Sequence, residues 1–378
     1  MKKLFISLAL ILSFLAVMAN DGAFYSEGTH LIPITETDIS VQKEILTITR
    51  VQGDNSWNIK YNVNVYYEFF NPGKAKDLIV GFESMPPGEG TIDDSYPYNP
   101  EISNFKVIMN GAELPYEASI VPFEGKYYQD GEFQELSLEY VSNFDEYFYY
   151  GNLFFVYHFN AHFNEGLNII NHTYTFYGEA YILSEYIFDY VLTAANRWAN
   201  NGIDDFTLIL DMGDRQSFCV APTFFNGTQD WTIDGKGRVK IDPGYISYVF
   251  ECDNEEAPVF HIQQGKVVFH KKNFHPEGEL YIHKKSSYLT SDIKELAHEQ
   301  YLSISSELIT YLDDSELTKE DRRIMKNLPF AYRGYVFKNK KLQEFFESAD
   351  WYIPNPEYKD DINGLSDGEK DWINFWSK

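Results

Sequence analysis

Trp57-Asn58-Ile59-Lys60-Tyr61-Asn62-Val63-Asn64-Val65-Tyr66-Tyr67-Glu68-Phe69 alternates without a break: every odd position is apolar or aromatic, and Asn58, Lys60, Asn62, Asn64, Tyr66 and Glu68 stand between them. A side-chain period of two is that of a β-strand with one buried and one wet face. At roughly 3.3 Å per residue such a strand reaches about 40 Å, long for a strand, and an antiparallel sheet with one face in water is its natural host. Asn71-Pro72-Gly73-Lys74 ends it, and Asp77 to Phe82 is expected to return beside it as the second strand of a hairpin.

The same period recurs in both directions from this stretch. Glu44 to Val51 sets Leu46 and Ile48 against Thr47 and Thr49, Phe105 to Met109 runs into an Asn110-Gly111 turn, and Asn152 to Phe163 with Leu167 to Tyr177 reads as a second long hairpin about Asn164-Glu165-Gly166. Short extended runs continue from Phe206 to Asp211 as far as Leu280 to Ile282. Phe123 to Tyr150, crowded with acids and with Tyr127, Tyr128, Phe133 and Tyr140, fits neither the strand nor the helix period. Many strands separated by turn signals predict antiparallel β-sandwich architecture, as one unit or two, over residues 20–286.

Past Thr290 the period becomes helical. Ile293, Leu296, Ala297, Tyr301, Ile304, Leu308 and Leu312 predict one amphipathic helix over Asp292 to Leu312 inside a linking segment at 287–316. Thr318 with Asp321 and Ser366 with Glu369 have capping-box spacing, and Lys340 to Ala349 puts Leu342, Phe345 and Phe346 on one face, so residues 317–378 should form a helical module in which Pro329 ends or kinks its helix. The expected fold class is mostly β with a small α-helical C-terminal domain.

Lys2 and Lys3, an apolar run from Leu4 to Val17 and the small residue Ala19 predict a signal peptide over residues 1–19 and a mature protein that is periplasmic or extracellular. No later apolar run is long enough to span a bilayer, so no transmembrane segment is expected in the mature chain. The formal charge of -26 becomes -28 once Lys2 and Lys3 are removed. Such a surface repels phosphate backbones, which excludes nucleic acid and favours cationic partners or neutral glycans. Cys219 and Cys252 are the only cysteines, and in an exported chain an even pair predicts a disulfide, two ligands being too few for a metal site.

No residue pattern points to catalysis, to a metal or to a cofactor. His158 and His162 would be about 13 Å apart along a strand, too far to share a metal, and Asp360-Asp361 before Ile362, Asn363 and Gly364 lacks the alternating oxygens of a calcium loop. Gly235 and Gly237 lack the rest of a phosphate loop, and no nucleophile elbow occurs.

Phe330-Ala331-Tyr332-Arg333-Gly334-Tyr335-Val336-Phe337, then Leu342-Gln343-Glu344-Phe345-Phe346, then Trp351-Tyr352-Ile353-Pro354-Asn355-Pro356-Glu357-Tyr358-Lys359, resemble the YARHG domain, a small extracellular module of bacterial proteins. The likeness covers the segment from Leu317 onward and departs at the motif that names it, where Phe330, Tyr332 and Arg333 stand at the family's Tyr, Arg and His. Less specifically, Tyr67 to Pro87 and Asp189 to Asp211, with Leu192, Thr193 and Trp198, resemble secreted bacterial β-sandwich proteins without an assigned function. Within the module, Tyr335, Trp351, Tyr352 and Pro354 fit two arrangements, an aromatic core or an exposed groove for a cell-envelope glycan or protein. These features together predict an exported, non-catalytic binding or envelope-organising protein, with a carbohydrate-active hydrolase and a structural spacer as the other readings.

Overall fold

A computed structural model of the chain describes residues 31–35, 37–52, 58–84, 95–122, 127–142, 153–179, 184–242, 257–285, 292–300, 302, 304–306, 308–312 and 317–378, and structural statements refer to these. The expected signal peptide and Cys252 lie outside them.

In chain order the strands are β1 (Ile32–Pro33), β2 (Ser40–Gln52), β3 (Asn58–Asn71), β4 (Lys76–Ser84), β5 (Ile102–Met109), β6 (Ala112–Leu114), β7 (Glu117–Pro122), β8 (Tyr128–Gln129), β9 (Glu132–Phe133), β10 (Leu153–Phe163), β11 (Gly166–Glu179), β12 (Ser184–Tyr190), β13 (Ile203–Asp211), β14 (Gln216–Val220), β15 (Trp231–Asp242), β16 (Ala257–Phe274) and β17 (Leu280–Lys285). The helices are α1 (Leu138–Ser142), α2 (Ile293–Glu299), α3 (Lys319–Ala331), α4 (Lys340–Glu347) and α5 (Asp367–Phe375). The protein is mostly β with its longer helices at the C-terminal end, as the sequence periods predict.

β12, β17, β14, β16, β13, β2, β3, β11, β5 and β6 lie side by side in that order, with β15 on the free edge of β16, making an eleven-stranded sheet; β1, β4, β10 and β7 make a four-stranded one. The sheets pack face to face, with Phe82 of β4 and Tyr157 of β10 against Phe105 of β5 and Tyr174 of β11. β3 sits inside the larger sheet. Ile59, Tyr61, Val63, Val65, Tyr67 and Phe69 are buried, while Asn62 and Asn64 are exposed, as its alternation requires. His172 of β11 is wholly enclosed beside Phe82 and Phe105, and burial pulls its imidazole down to about 3, so it packs as a neutral ring.

Two expected hairpins are something else. β4 does not return along β3, because β2 and β11 already occupy both edges of β3; it crosses to the smaller sheet and pairs with β1 and β10. β10 and β11 divide between the sheets in the same way. The two connections are therefore corners of the sandwich, and Asn71 ties them together: its side-chain amide donates to the Lys74 and Phe163 carbonyls at 3.0 and 3.2 Å. One pairing also departs from the antiparallel expectation. β2 and β13 run parallel, and the chain that joins them, between Gln52 and Ile203, contains β3 to β12.

The expected helix over Asp292 to Leu312 is shorter. α2 starts on the Asp292 cap and stops at Gln300, which takes a left-handed conformation (φ 57°). Its side chain is held by the β body, accepting from Ser217 Oγ and donating to the Arg215 carbonyl at 2.8 Å. Leu302, Ile304, Leu308 and Leu312 still pack on the module core, from irregular backbone and a short 3-10 turn at Leu308–Tyr311. Pro329 sits in the last turn of α3, and the helix ends two residues later. Both expected capping boxes form, Thr318 with Asp321 and Ser366 with Glu369.

Candidate functional site

β4, β10 and β7 are neighbours in the smaller sheet, and Val156 of β10 pairs with Glu83 on one side and Ser119 on the other, so both project to the same outer face together with His158. A cover lies over them. Asp130 and Gly131, both at positive φ, make the two-residue turn that closes β8 on β9, and this hairpin lays Phe133 flat on His158 with ring centroids 4.0 Å apart. Tyr127 stacks beyond Phe133 and donates its hydroxyl to Glu83, whose carboxylate also accepts from Arg197 Nη1 at 2.9 Å. Burial, then the Glu83 charge, pushes the Tyr127 phenol up, so it is a donor at any physiological pH.

Beside this trio Ser119, 2% exposed, donates to Glu135 Oε1 at 2.6 Å and lies 3.0 Å from His158 Nε2. Burial pulls His158 down, opposed by the charges of Glu117 and Glu135. Hydroxyl, imidazole and carboxylate thus meet, but in the wrong order for a nucleophile. In a triad the carboxylate orients the imidazole, which takes the hydroxyl proton. In this protein the hydroxyl donates its hydrogen bond to the carboxylate and not to the imidazole, and the hydroxyl is covered. What reaches solvent is a rim of exposed carboxylates, Glu117, Asp130, Glu132 and Glu135, about the half-buried rings of Tyr128 and Phe133. Such a surface can hold a ligand by ring contact and hydrogen bonding without attacking it.

Sequence reading drew attention to Tyr127, Phe133 and His158 but did not bring them together, and it passed over Glu83, Ser119, Glu135 and Arg197. His158 and His162 share a face of β10 and have separate partners, Ser119 and Asp77. Among the described residues no group of three His, Cys, Asp or Glu could hold a metal ion, and no helix is long and apolar enough to cross a membrane. Cys219 is buried in β14, and its expected bond to Cys252 falls outside the described residues.

The C-terminal aromatics are placed differently from an open groove. Trp351 is 5% exposed and donates Nε1 to the Ala297 and His298 carbonyls at 3.1 and 2.7 Å, capping the end of α2. Tyr352 is 1% exposed, with its hydroxyl donating to the Tyr335 carbonyl at 2.7 Å. Tyr335 is half-buried against Phe337 and Tyr358, and Pro354 is exposed. The backbone of the same motif is a strap onto β15 and β16: Arg238 Nη2 donates to the Tyr352 carbonyl at 2.9 Å, Gln263 Nε2 to the Ile353 carbonyl at 2.7 Å, and Lys240 pairs with Asp350. Gly334 (φ 78°) lies beneath the strap, where a Cβ would come within 2.2 Å of the Ile353 oxygen, so only glycine fits.

Residues 300–378 match the YARHG domain. The match begins ahead of Leu317, and the packed core of the YARHG module reaches further back still, taking in Ile293, Leu296 and Ala297 of α2. No curated protein matches the chain. Among solved structures, a proposed nutrient binding protein of Legionella pneumophila subsp. pneumophila str. Philadelphia 1 is similar over 93% of this chain and 97% of its own, at 16% identity and a TM-score of 0.46. The YARHG module is also electrically distinct. Residues 317–378 hold 11 acidic and 11 basic side chains, so the whole formal charge of -26 belongs to the residues before them.

Proposed function

We propose that the chain is an exported, non-catalytic binding protein of the cell envelope, taking its ligand on the outer face of the four-stranded sheet. The carrying observation is the Ser119, Glu135 and His158 arrangement, in which polar groups gather under an aromatic cover but the hydroxyl is not activated. The YARHG match supports an extracellular setting, and the strongly acidic β body supports a ligand that is not anionic. Exposed carboxylates beside aromatic rings favour a glycan that offers ammonium as well as hydroxyl groups. Tyr335 and Pro354, at the surface of the YARHG module, are a second contact in this reading, while Trp351 and Tyr352 serve as its core.

Titration of the mature chain with chitosan hexamer tests it. Phe133→Ala and Glu135→Gln should each weaken binding roughly 5- to 20-fold, the equivalent of about 1–2 kcal/mol, whereas Asp234→Asn on β15 removes one charge elsewhere and should change little. Equal loss in all three variants would mean non-specific attraction and end this assignment. Export also calls for the Cys219 to Cys252 disulfide: the unreduced, unfolded mature protein should show no thiol toward a thiol reagent, and two titratable thiols would remove the bond from the proposal.

A further inference from the structure

The wet face of the eleven-stranded sheet lies on the opposite side of the sandwich from the cluster of Glu83 and Ser119. Its central positions come from three adjacent strands in register, Thr47 opposite Asn64 opposite Thr173, and Thr49 opposite Asn62 opposite Thr175. None of the six is charged, in a chain with 23% charged residues and a formal charge of -26. Charged side chains stand at the borders instead, Lys43 and Glu68 at one end, Lys60 at the other, and Lys106 and Asp211 at the sides. The centre is therefore a field of hydroxyl and carboxamide groups, each able both to donate and to accept. Its members are already aligned, with Thr175 Oγ1 donating to Asn62 Oδ1 at 3.0 Å and Asn104 Nδ2 reaching Thr175 Oγ1 at 3.4 Å.

Aromatic rings mark both ends. Tyr177 is 37% exposed, with Lys60 Nζ 5.4 Å from its ring centre and Ser103 Oγ 3.3 Å from its hydroxyl. Tyr66 lies at the other end beside the exposed Phe70 and Ile169. Six residues of strand separate the Lys60 and Tyr66 positions, about 20 Å at roughly 3.3 Å per residue, which leaves room for several sugar rings. Opposite Tyr66, Asn171 adds another carboxamide side chain to the same face of β11. A protein partner would want an apolar centre, and a charged polymer would want charges of one sign. The face has neither.

We infer that this face binds a neutral polysaccharide, with Tyr66 and Tyr177 as stacking platforms and the Asn and Thr rows as hydrogen-bonding partners for sugar hydroxyls. It is a second surface and does not rest on the site at Phe133 and Glu135. The test is depletion of the full mature chain from solution by amorphous cellulose and by chitin. The wild-type protein should be retained by at least one of them. Asn62→Asp with Asn64→Asp, which keeps size and adds two charges on exposed positions, should weaken retention at least tenfold, and Tyr177→Ala should weaken it by a smaller factor. Phe133→Ala should retain normally, which separates this face from the first site. Circular dichroism checks that every variant is folded, and Thr49→Val with Thr175→Val, which adds no charge, repeats the test should the double aspartate variant not fold. A wild-type chain left in solution by both polysaccharides, or folded variants retained as well as wild type, overturns the inference.

Discussion

Trp351→Ala should unfold the YARHG module at a cost of about 3–5 kcal/mol while the two β-sheets stay assembled. The indole fills the centre of the small core, edge-on to Tyr332 and Phe346 at 4.9 and 5.9 Å. Truncation leaves a cavity there and removes the donor that serves the Ala297 and His298 carbonyls at the end of α2. The β body should survive because the two hydrophobic cores have no member in common, and the joint between them is made by Arg238, Lys240, Gln263 and Gln300 through polar contacts. Limited proteolysis should therefore degrade the variant from α2 onward and spare the strands. Trp351→Phe should recover most of the packing but not the two hydrogen bonds. A Trp351→Ala protein with wild-type unfolding and wild-type protease resistance would show that the ring is not a core anchor.

Alternation made β3 legible because its two faces differ chemically, and β2 was legible for the same reason. The partners of these strands were not. Asn71-Pro72-Gly73 and Asn164-Glu165-Gly166 have the composition of hairpin turns, and at both places the chain changes sheet. Local turn chemistry says that the direction reverses; which strand edge is still open depends on every strand already placed. Edge occupation is a long-range property, and nothing in residues 71–75 encodes it. Of the apolar spacing from Ile293 to Leu312, Ile293, Leu296, Ala297, Ile304, Leu308 and Leu312 reach one core, and Tyr301 lies outside the described residues, but period alone does not distinguish a continuous helix from a helix followed by a 3-10 turn. Gln300 settles that through a contact with Ser217, distant in sequence.

The candidate sites divide along the same line. Trp351 and Tyr352 stood out as a pair of large amphipathic rings, and only burial shows that they pack in the module core. Ser119 had no signal at all, since Glu117-Ala118-Ser119-Ile120 reads as an ordinary strand, and its neighbours Glu135 and His158 come from other elements. Arg197 and Glu83 are likewise brought together only by the fold. The Asn and Thr rows of the wet face were visible in β2, β3 and β11 separately, yet their alignment into one uncharged field depends on register.

Arg333→Ala should destabilise the YARHG module by about 3 kcal/mol at neutral pH, and by progressively less as the pH falls through the carboxylate range. Arg333 stands where the family has another residue, and in this chain it acts as a clamp. Its Nη1 and Nη2 donate to the two Glu369 oxygens at 2.7 and 2.9 Å, and Nη1 also reaches the Pro329 carbonyl at 2.8 Å. These bonds hold α3 to α5 at the point where Glu369 closes the Ser366 capping box. Burial alone would raise the Glu369 carboxyl, but hydrogen bonds from Arg333 and the Ser366 amide outweigh it and hold the group below its ordinary value. A carboxyl depressed in the folded state contributes stability that is complete above the unfolded value, about pH 4.3, and is lost as the pH drops through the lower folded value. In Arg333→Ala the burial effect is left largely unopposed, so the folded carboxyl moves up and protonation relieves the variant where it weakens the wild type. Urea midpoints measured from pH 7 to pH 3 should therefore converge. Arg333→Lys should restore only part of the difference, because an ammonium cannot make the paired contact. A gap between wild type and Arg333→Ala that stays constant over that range would mean that the guanidinium acts by filling space and not by holding the charge of Glu369.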